Sequence, residues 1–335
     1  MIRRRFSALL AGVALILTIA ISPAAQVTAA TTPAASTVGG NGMKVSPVRT
    51  DITINPGQTN TVTVNVQNVT SVPAELQVLV NDFVADKSES GQPAIILDAS
   101  KYAPSHSLKR FITATIPNIT LQPNEQKSVK ITINVPKDAA GGGYFGAIRF
   151  APASSTNDKN ISLSASVGSL ILLKVPGDIK DDLRLASLDV RKGDSVKILF
   201  TSGKNIKTAI RFENKGDIQE QPFGKIVLKQ GNKILQTTEV NNTDPRGNVL
   251  PDSVRKFEVT LDKVGSFGKY NVQGNFGYGT TGQLLSGQTT FYVVPVPIIV
   301  LAVIIVLAIL FLIFGLPKMI RRYNQGVIRK ASRRR

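Results

Sequence analysis

Few side chains in this sequence could support catalysis. The 335 residues include no cysteine and one histidine, His106, which lies in the polar stretch PSHS at residues 104–107. A single histidine in a loop is more often solvated than catalytic, and without cysteine or further histidine a metal ion would need carboxylate ligands alone. Asp181 and Asp182 are the tightest acid pair, but neighbouring residues of an extended segment point to opposite sides. The pair therefore predicts a surface cluster, with calcium at a domain junction as the remaining alternative.

Two short motifs match known signatures in spacing only. The glycines of GYGTTG at residues 277–282 have the spacing of a dinucleotide-binding loop, but no helical sequence follows, so the segment predicts a hairpin loop. The Ser-x-x-Lys matches at residues 253–256 and 266–269 lie in alternating or turn sequence, and the chain has no Lys-Thr-Gly partner for them. We predict that the protein is not an enzyme, has no catalytic residues and uses no cofactor or metal.

The most distinctive local feature is a glycine run followed by two aromatic residues: Gly141, Gly142, Gly143, Tyr144 and Phe145. Three consecutive glycines allow positive φ angles or the close approach of a neighbour. Tyr144 and Phe145 then enter a strand on opposite faces, so one is expected in the core and the other at the surface. The run is interpreted as a bulge or tight turn before a core strand, or as a ligand-binding loop with these five residues as its candidate site.

Alternation of apolar and polar residues dominates the body of the chain. TVTVNV at residues 61–66 and VKITINV at residues 129–135 place their valines and isoleucines on one face, which is the pattern of half-buried strands. Turn sequences such as NPG at residues 55–57 separate these segments. We predict an all-β fold of two tandem immunoglobulin-like β-sandwiches, at residues 43–176 and 183–294, plus one C-terminal transmembrane α-helix.

The N-terminal segment has the composition of a secretory signal peptide. Three arginines at residues 3–5 precede an apolar stretch at residues 8–21, and small residues follow. We predict a signal peptide at residues 1–30 and a flexible lead-in at residues 31–42. An N-terminal anchor that is never cleaved is the alternative. The arginines also partly match a twin-arginine export signal, but the lack of a cofactor motif favours the general export route.

A second apolar segment, residues 298–316, contains 19 residues without a charge. As a helix it would be roughly 28 Å long, close to the thickness of the hydrocarbon core of a membrane. The tail at residues 317–335 contains no acid. Its basic residues are Lys318, Arg321, Arg322, Arg329, Lys330, Arg333, Arg334 and Arg335. By the positive-inside rule we predict a single span in the cell membrane, a cytoplasmic tail and an extracellular body.

The formal net charge of +18 mostly reflects the two ends of the chain. The N-terminal arginines supply 3 charges and the tail supplies 8, which leaves +7 for the rest. A moderately basic body suits an anionic envelope polymer, and the tail suits anionic lipid. The body has no aromatic-basic interleaving and no recognised nucleic-acid-binding module, so we predict no nucleic-acid partner.

The sequence VPKDAAGGGYFGAI at residues 135–148 resembles the first domain of the WxL-interacting proteins of Gram-positive bacteria. A proline turn, a glycine run and an aromatic-Gly-Ala-Ile strand follow an alternating strand in this segment. The order of segments is similar over nearly the whole chain. The resemblance implies a peptidoglycan-binding first sandwich, a second sandwich that binds a host or partner protein, one membrane helix and a basic tail.

These observations predict a membrane-anchored extracellular binding or scaffold protein that contacts peptidoglycan, or another anionic envelope polymer, and another surface protein. A membrane-tethered assembly factor or chaperone for exported proteins is the alternative, since a sandwich can lend or accept a strand at an open sheet edge. Lysines on the edge strands would oppose that alternative. An envelope hydrolase is a third hypothesis, and it requires a cleft in which acids converge.

Overall fold

The computed structural model describes residues 37–38, 42–98, 100–113, 116–153 and 166–332. The predicted signal peptide, residues 1–30, and the last three arginines of the predicted tail lie outside the described residues.

Strands dominate the described part of the chain. They are β1 (Thr37–Val38), β2 (Met43–Ser46), β3 (Arg49–Thr53), β4 (Thr59–Asn68), β5 (Ala74–Ala85), β6 (Pro93–Ile95), β7 (Ile119–Leu121), β8 (Gln126–Asn134), β9 (Gly142–Pro152), β10 (Val167–Val175), β11 (Leu183–Lys192), β12 (Ser195–Val196), β13 (Leu199–Phe200), β14 (Lys207–Asn214), β15 (Phe223–Gln230), β16 (Lys233–Val240), β17 (Ser253–Thr260), β18 (Gly268–Tyr278) and β19 (Gln283–Val293). A single 3₁₀ turn in the same described part, Lys109–Phe111, lies between β6 and β7.

The first pair of sheets has the strand orders β1-β2-β4-β8 and β3-β10-β9-β5-β6, with β7 paired to β5. Strand β3 runs parallel to β10, and the other pairs are antiparallel. The alternation predicted for β4 and β8 is confirmed, since Val62, Val64 and Val66 are buried, with Val62 opposite Ile131 and Val64 opposite Val129. Full burial of such side chains contributes roughly 1.5–3 kcal/mol each. Strand β1 lies inside the predicted flexible lead-in, which is therefore partly sheet.

The second pair of sheets has the strand orders β12-β11-β14-β17 and β13-β19-β18-β15-β16. Its core combines apolar side chains from both sheets, among them Ile210 and Phe212 of β14 and Val272 and Phe276 of β18. The rings of Phe212 and Phe276 meet edge to face with centroids 5.0 Å apart, a favourable aromatic geometry. The fold is thus all-β with two immunoglobulin-like sandwiches, as predicted, and the exact domain limits remain a prediction.

The two sandwiches contact each other through polar and apolar groups. Glu89, in the turn after β5, forms an ion pair with Arg211 of β14, and its carbonyl oxygen accepts a hydrogen bond of 2.8 Å from the backbone N–H of Lys256. A small apolar cluster around Phe83 and Phe145 packs against Leu250 of the second sandwich. An ion pair, a backbone hydrogen bond and apolar packing thus join the two sandwiches.

A helix follows the last strand after two residues. It consists of α1 (Val296–Leu310), a π-helical segment (Phe311–Gly315) and α2 (Leu316–Ser332). Among the described residues, the stretch Val296–Asn324 is the one helix that is long and apolar enough to cross a membrane, judged by length and composition. None of the residues in its most apolar part is buried against the rest of the protein. The predicted apolar segment, residues 298–316, lies within it.

Candidate functional site

A cleft in the first sandwich brings together polar, aromatic and charged side chains. We call it the Tyr144 cleft; its volume is about 310 Å³. Three segments form it: the loop of residues 100–113, the turn after β8 and the start of β9. Its lining residues are Ala103, Pro104, Ser105, His106, Ser107, Arg110, Phe111, Pro136, Asp138, Ala139 and Tyr144.

The buried carboxylate of Asp82 on β5 organises the loop that forms one wall of the cleft. Its Oδ1 accepts a hydrogen bond of 2.9 Å from the N–H of Lys109, and its Oδ2 accepts from the N–H of Ala103 at 2.9 Å and the hydroxyl of Ser107 at 2.5 Å. Asp82 itself is fully buried. One side chain thus holds the loop at three points. Hydrogen bonds to a charged acceptor are roughly twice as strong as neutral ones, so these three contacts fix the loop firmly.

His106 is not the solvated loop residue that the sequence predicted. Its Nδ1 lies 2.7 Å from the carbonyl oxygen of Gly143, and its ring centroid lies 6.3 Å from that of Tyr144. A carbonyl oxygen only accepts hydrogen bonds, so Nδ1 carries a proton, and Nε2 of the neutral ring is an acceptor. The backbone of His106 has a φ of 60°, a conformation that is costly for a non-glycine residue and frequent at binding sites.

Tyr144 and Phe145 lie on opposite faces of β9, as predicted. The Tyr144 ring is half-buried, packs 4.6 Å from the ring of Phe111 between centroids, and donates its hydroxyl proton to the carbonyl of Ala140 at 2.9 Å. Burial raises the pKa of Tyr144. Phe145 is buried on the other face, near Phe83. Tyr144 is therefore the residue of the pair that lines the cleft.

The glycine run is a contact between the sandwiches. The N–H of Gly143 donates to the carbonyl of Asp217 at 2.7 Å, across the junction. A Cβ on Gly142 would lie 2.8 Å from that same carbonyl oxygen, and Gly142 has a φ of +147°. A Cβ on Gly141 would lie 2.9 Å from the Cα of Gly177. Only glycine permits this close approach, and Tyr144 is the one of the five candidate residues that lines the cleft.

An exposed aromatic ring with two cations lies beside the cleft. Tyr102 is 46% exposed. The Lys109 Nζ and the Arg110 guanidinium carbon each lie 4.7 Å from its ring centroid. Such cation–π contacts position the positive charges next to the cleft without neutralising them. No alternating or helical pattern in the sequence predicted that Tyr102, Lys109 and Arg110 would lie together, because the loop of residues 100–113 that carries them is irregular.

The side chains of the cleft offer a half-buried aromatic ring, an imidazole and a guanidinium, which can pack against apolar groups and form hydrogen bonds with hydroxyls and carboxylates. Asp138 is the one carboxylate among its described lining residues, so the cleft lacks the second acid that general acid–base hydrolysis of a glycoside requires.

Two acids do converge elsewhere, at the junction of the sandwiches. A cavity of about 280 Å³ is lined by Asp181, Glu220, Lys174 and Tyr278, among others. Glu220 is 4% exposed, and its Oε2 accepts a hydrogen bond of 3.0 Å from the N–H of Gly279. Burial, followed by the negative charge of Asp181, raises the pKa of Glu220 to about 7.

This acid pair differs from the one that the sequence suggested. Asp181 is within hydrogen-bonding reach of Glu220, whereas Asp182 faces Lys180 at 2.9 Å and Arg184 at 2.8 Å. Arg184, followed by Lys180, holds the pKa of Asp182 well below its ordinary range. The neighbouring aspartates thus point apart, as predicted.

The fold and the Tyr144 cleft define a protein of two tandem sandwiches with a cleft in the first. Residues 50–152 match the family described as WxL Interacting Protein, peptidoglycan binding domain. The match confirms, for this part of the chain, the resemblance drawn from residues 135–148, and it contains every residue that lines the Tyr144 cleft.

Comparison with solved structures finds similar folds at low identity, and no curated protein matches the chain. The Class 5 fimbriae chaperone CfaA is 12% identical, with 76% of this chain and 100% of that chain covered and a TM-score of 0.36. The E. coli chaperone DraB is 15% identical, with 75% and 96% covered and a TM-score of 0.32. The Pseudomonas aeruginosa CupB2 chaperone is 12% identical, with 72% and 97% covered and a TM-score of 0.32. These likenesses concern the fold alone.

Proposed function

We propose that this protein is a membrane-anchored extracellular binding protein whose Tyr144 cleft contacts peptidoglycan. The observation that carries the proposal is the position of the cleft: all of its lining residues fall within residues 50–152, the segment that matches a peptidoglycan-binding domain. The protein acts by binding and not by catalysis, with residues 43–176 as the wall-binding sandwich and residues 183–294 as a second sandwich that contacts another surface protein.

The charges beside the cleft support this choice of ligand. Peptidoglycan combines sugar rings with the carboxylates of its peptide stems. A sugar ring would pack against the exposed part of Tyr144, with hydroxyl groups reaching Nε2 of His106. Arg110 would then pair with a stem carboxylate, a charge-assisted contact that is stronger than a neutral hydrogen bond.

Replacing Arg110 with alanine is expected to weaken binding to the wall. The side chain is exposed, so its loss should leave the fold intact while it removes one cation from the cleft. We expect about fivefold weaker binding, equivalent to ~1 kcal/mol, in sedimentation of the full chain in neutral detergent with purified peptidoglycan at low salt. Tyr144→Ala is a poorer variant, because the ring also packs in the core.

The matched control is Arg184→Ala, which removes an exposed arginine of the second sandwich. It should bind the wall like the unmodified chain. No sedimentation of the unmodified chain at low salt would refute wall binding, because ionic screening could not account for it. Equal losses in both variants would show a general charge effect and would refute the assignment to the Tyr144 cleft.

The helix supports the proposed membrane anchor. The side chains of Lys318, Arg321 and Arg322 follow the apolar stretch and are exposed, and Arg329 and Lys330 continue the same helix. We propose that these residues set the topology, with the tail in the cytoplasm, the signal peptide at residues 1–30 directing export and the bulk of the chain extracellular. Protease added to intact cells should degrade the body and spare a reporter fused after Arg335; a degraded reporter would contradict this orientation.

The strand-exchange alternative is less well supported. The long strands at the sheet edges each carry a basic side chain: Lys127 and Lys130 on β8, Lys233 on β16 and Lys256 on β17. Lysine on an edge strand opposes pairing with another chain.

A further inference from the structure

A second cavity at the junction is lined by three arginines. We call it the arginine cavity; its volume is about 260 Å³. Arg49 comes from β3 of the first sandwich, Arg246 from the loop before β17, and Arg255 from β17. Apolar side chains also line it, among them Phe83, Leu172 and Leu250.

Two of the three guanidinium groups have no carboxylate partner. Arg49 forms a bidentate pair with Asp51 at 2.7 and 2.8 Å. In the part of the chain that the structure describes, Arg246 and Arg255 have no carboxylate oxygen within 4.0 Å. The Arg246 guanidinium lies 4.1 Å from the ring centroid of Phe223. Arg255 donates from Nη1 to the carbonyl of Asn248 at 2.7 Å, but its Nε is buried without a hydrogen-bond partner.

Arg49 also holds the loop that carries Arg246. It donates to the carbonyl of Arg246 at 3.2 Å and to Oδ1 of Asn248 at 3.3 Å. The loop of the second sandwich is thus fixed to a strand of the first, so the arginines keep their relative positions. Burial, together with the positive charge of Arg49, lowers the pKa of Arg255, and the negative charge of Asp86 opposes part of this effect. An anion in the cavity would offset both the burial and the repulsion between like charges.

We infer that the arginine cavity binds a carboxylate attached to a small apolar group, as at the C-terminal residue of a peptide. The planar fork of a guanidinium matches a carboxylate with two parallel hydrogen bonds. The apolar side chains that line the cavity accommodate a short side chain next to that carboxylate. The assignment does not depend on the proposed wall-binding role of the Tyr144 cleft, because the two surfaces share no lining residue.

The test compares a short peptide acid with its amide. Titration calorimetry would use the full chain in neutral detergent at constant low ionic strength. N-acetyl-Ala-Ala should bind, and its C-terminal amide should bind at least about tenfold more weakly. Arg246→Gln should weaken binding of the acid by about tenfold, and its exposed, loop position should leave the fold unchanged. Arg255→Gln should do the same, with its stability measured in parallel.

Arg184→Gln is the control, since Arg184 does not line the cavity. It should bind the acid like the unmodified chain. Equal affinity for the acid and the amide, no detectable binding of the acid, or unchanged binding by Arg246→Gln would each overturn the inference. Inorganic phosphate binding as tightly as the peptide acid would also overturn it, because the cavity would then recognise charge without the apolar group.

Discussion

The unmodified protein is expected to lose stability as the pH rises from about 4.5 to about 7, and replacing Glu220 with glutamine is expected to abolish this pH dependence. Glu220 is almost fully buried, and its nearest charged neighbour is the acid Asp181. Burial penalises the ionised carboxylate, and a second carboxylate penalises it further. The pair therefore retains a proton in the folded protein at a pH where an exposed glutamate has lost it.

The direction of the pH effect follows from the number of bound protons. The unfolded chain releases the Glu220 proton near 4.5, whereas the folded chain releases it near 7. Between these values the folded state binds more protons, so the free energy of unfolding falls as the pH rises and levels off above about 7. The shift corresponds to at most about 3.5 kcal/mol, since one pKa unit is about 1.4 kcal/mol. Lys174 opposes part of the penalty by its positive charge.

Urea denaturation of the full chain in neutral detergent, followed at several pH values, would measure this effect. Glu220→Gln should be more stable than the unmodified chain at pH 8, and its stability should stay level between pH 5 and 8. Glu258→Gln is the control. Lys256 and then Lys207 lower the pKa of Glu258, so the contribution of Glu258 to the pH dependence of stability lies at acidic pH. The prediction would be contradicted if the stability of the unmodified chain rose from pH 5 to 7 and the stability of Glu220→Gln rose in the same way.

Replacing Asp82 with alanine is expected to destabilise the protein by about 3–5 kcal/mol and to disorder the wall of the Tyr144 cleft. The substitution leaves the N–H groups of Ala103 and Lys109 and the hydroxyl of Ser107 without their acceptor. Ala103 and Ser107 are buried, so water cannot easily replace the carboxylate. An unpaired buried donor costs its full desolvation penalty.

Denaturation combined with hydrogen exchange would separate the global and local parts of the Asp82 effect. Ser107→Ala is a graded control, because it removes one of the three hydrogen bonds and should cost about 1 kcal/mol. In Asp82→Ala the amides of Ala103 and Lys109 should exchange much faster than in the control, and wall binding should be lost. Unchanged exchange at these two amides would show that the loop is held by other contacts.

The strands and the helix were predictable because each depends on a local pattern. The valines of β4 alternate with polar residues, so a strand that buries one face follows from period two alone. The long apolar run after Pro297 has one low-energy conformation in lipid, a helix that satisfies its own backbone. The opposite faces of Tyr144 and Phe145 follow from the same strand geometry.

The candidate sites depended on contacts between distant segments. The structure brings together His106 and Gly143, Asp181 and Glu220, and Arg49 and the loop of Arg246. No local sequence pattern predicts that the members of these pairs are close in space. The glycine run was predicted to allow the close approach of a neighbour, and only the tertiary structure places the carbonyl oxygen of Asp217 there.

The amino-acid sequence by itself thus determined which segments are strands, which segment is helical and how charge is divided along the chain. These properties depend on the periodicity and composition of short segments. Only the tertiary structure decided that an isolated histidine lines a cleft, that two acids share a buried site and that three arginines surround one cavity. The physical reason is that pKa values, burial and unpaired charges depend on distances across the junction, which the order of residues in each segment does not specify.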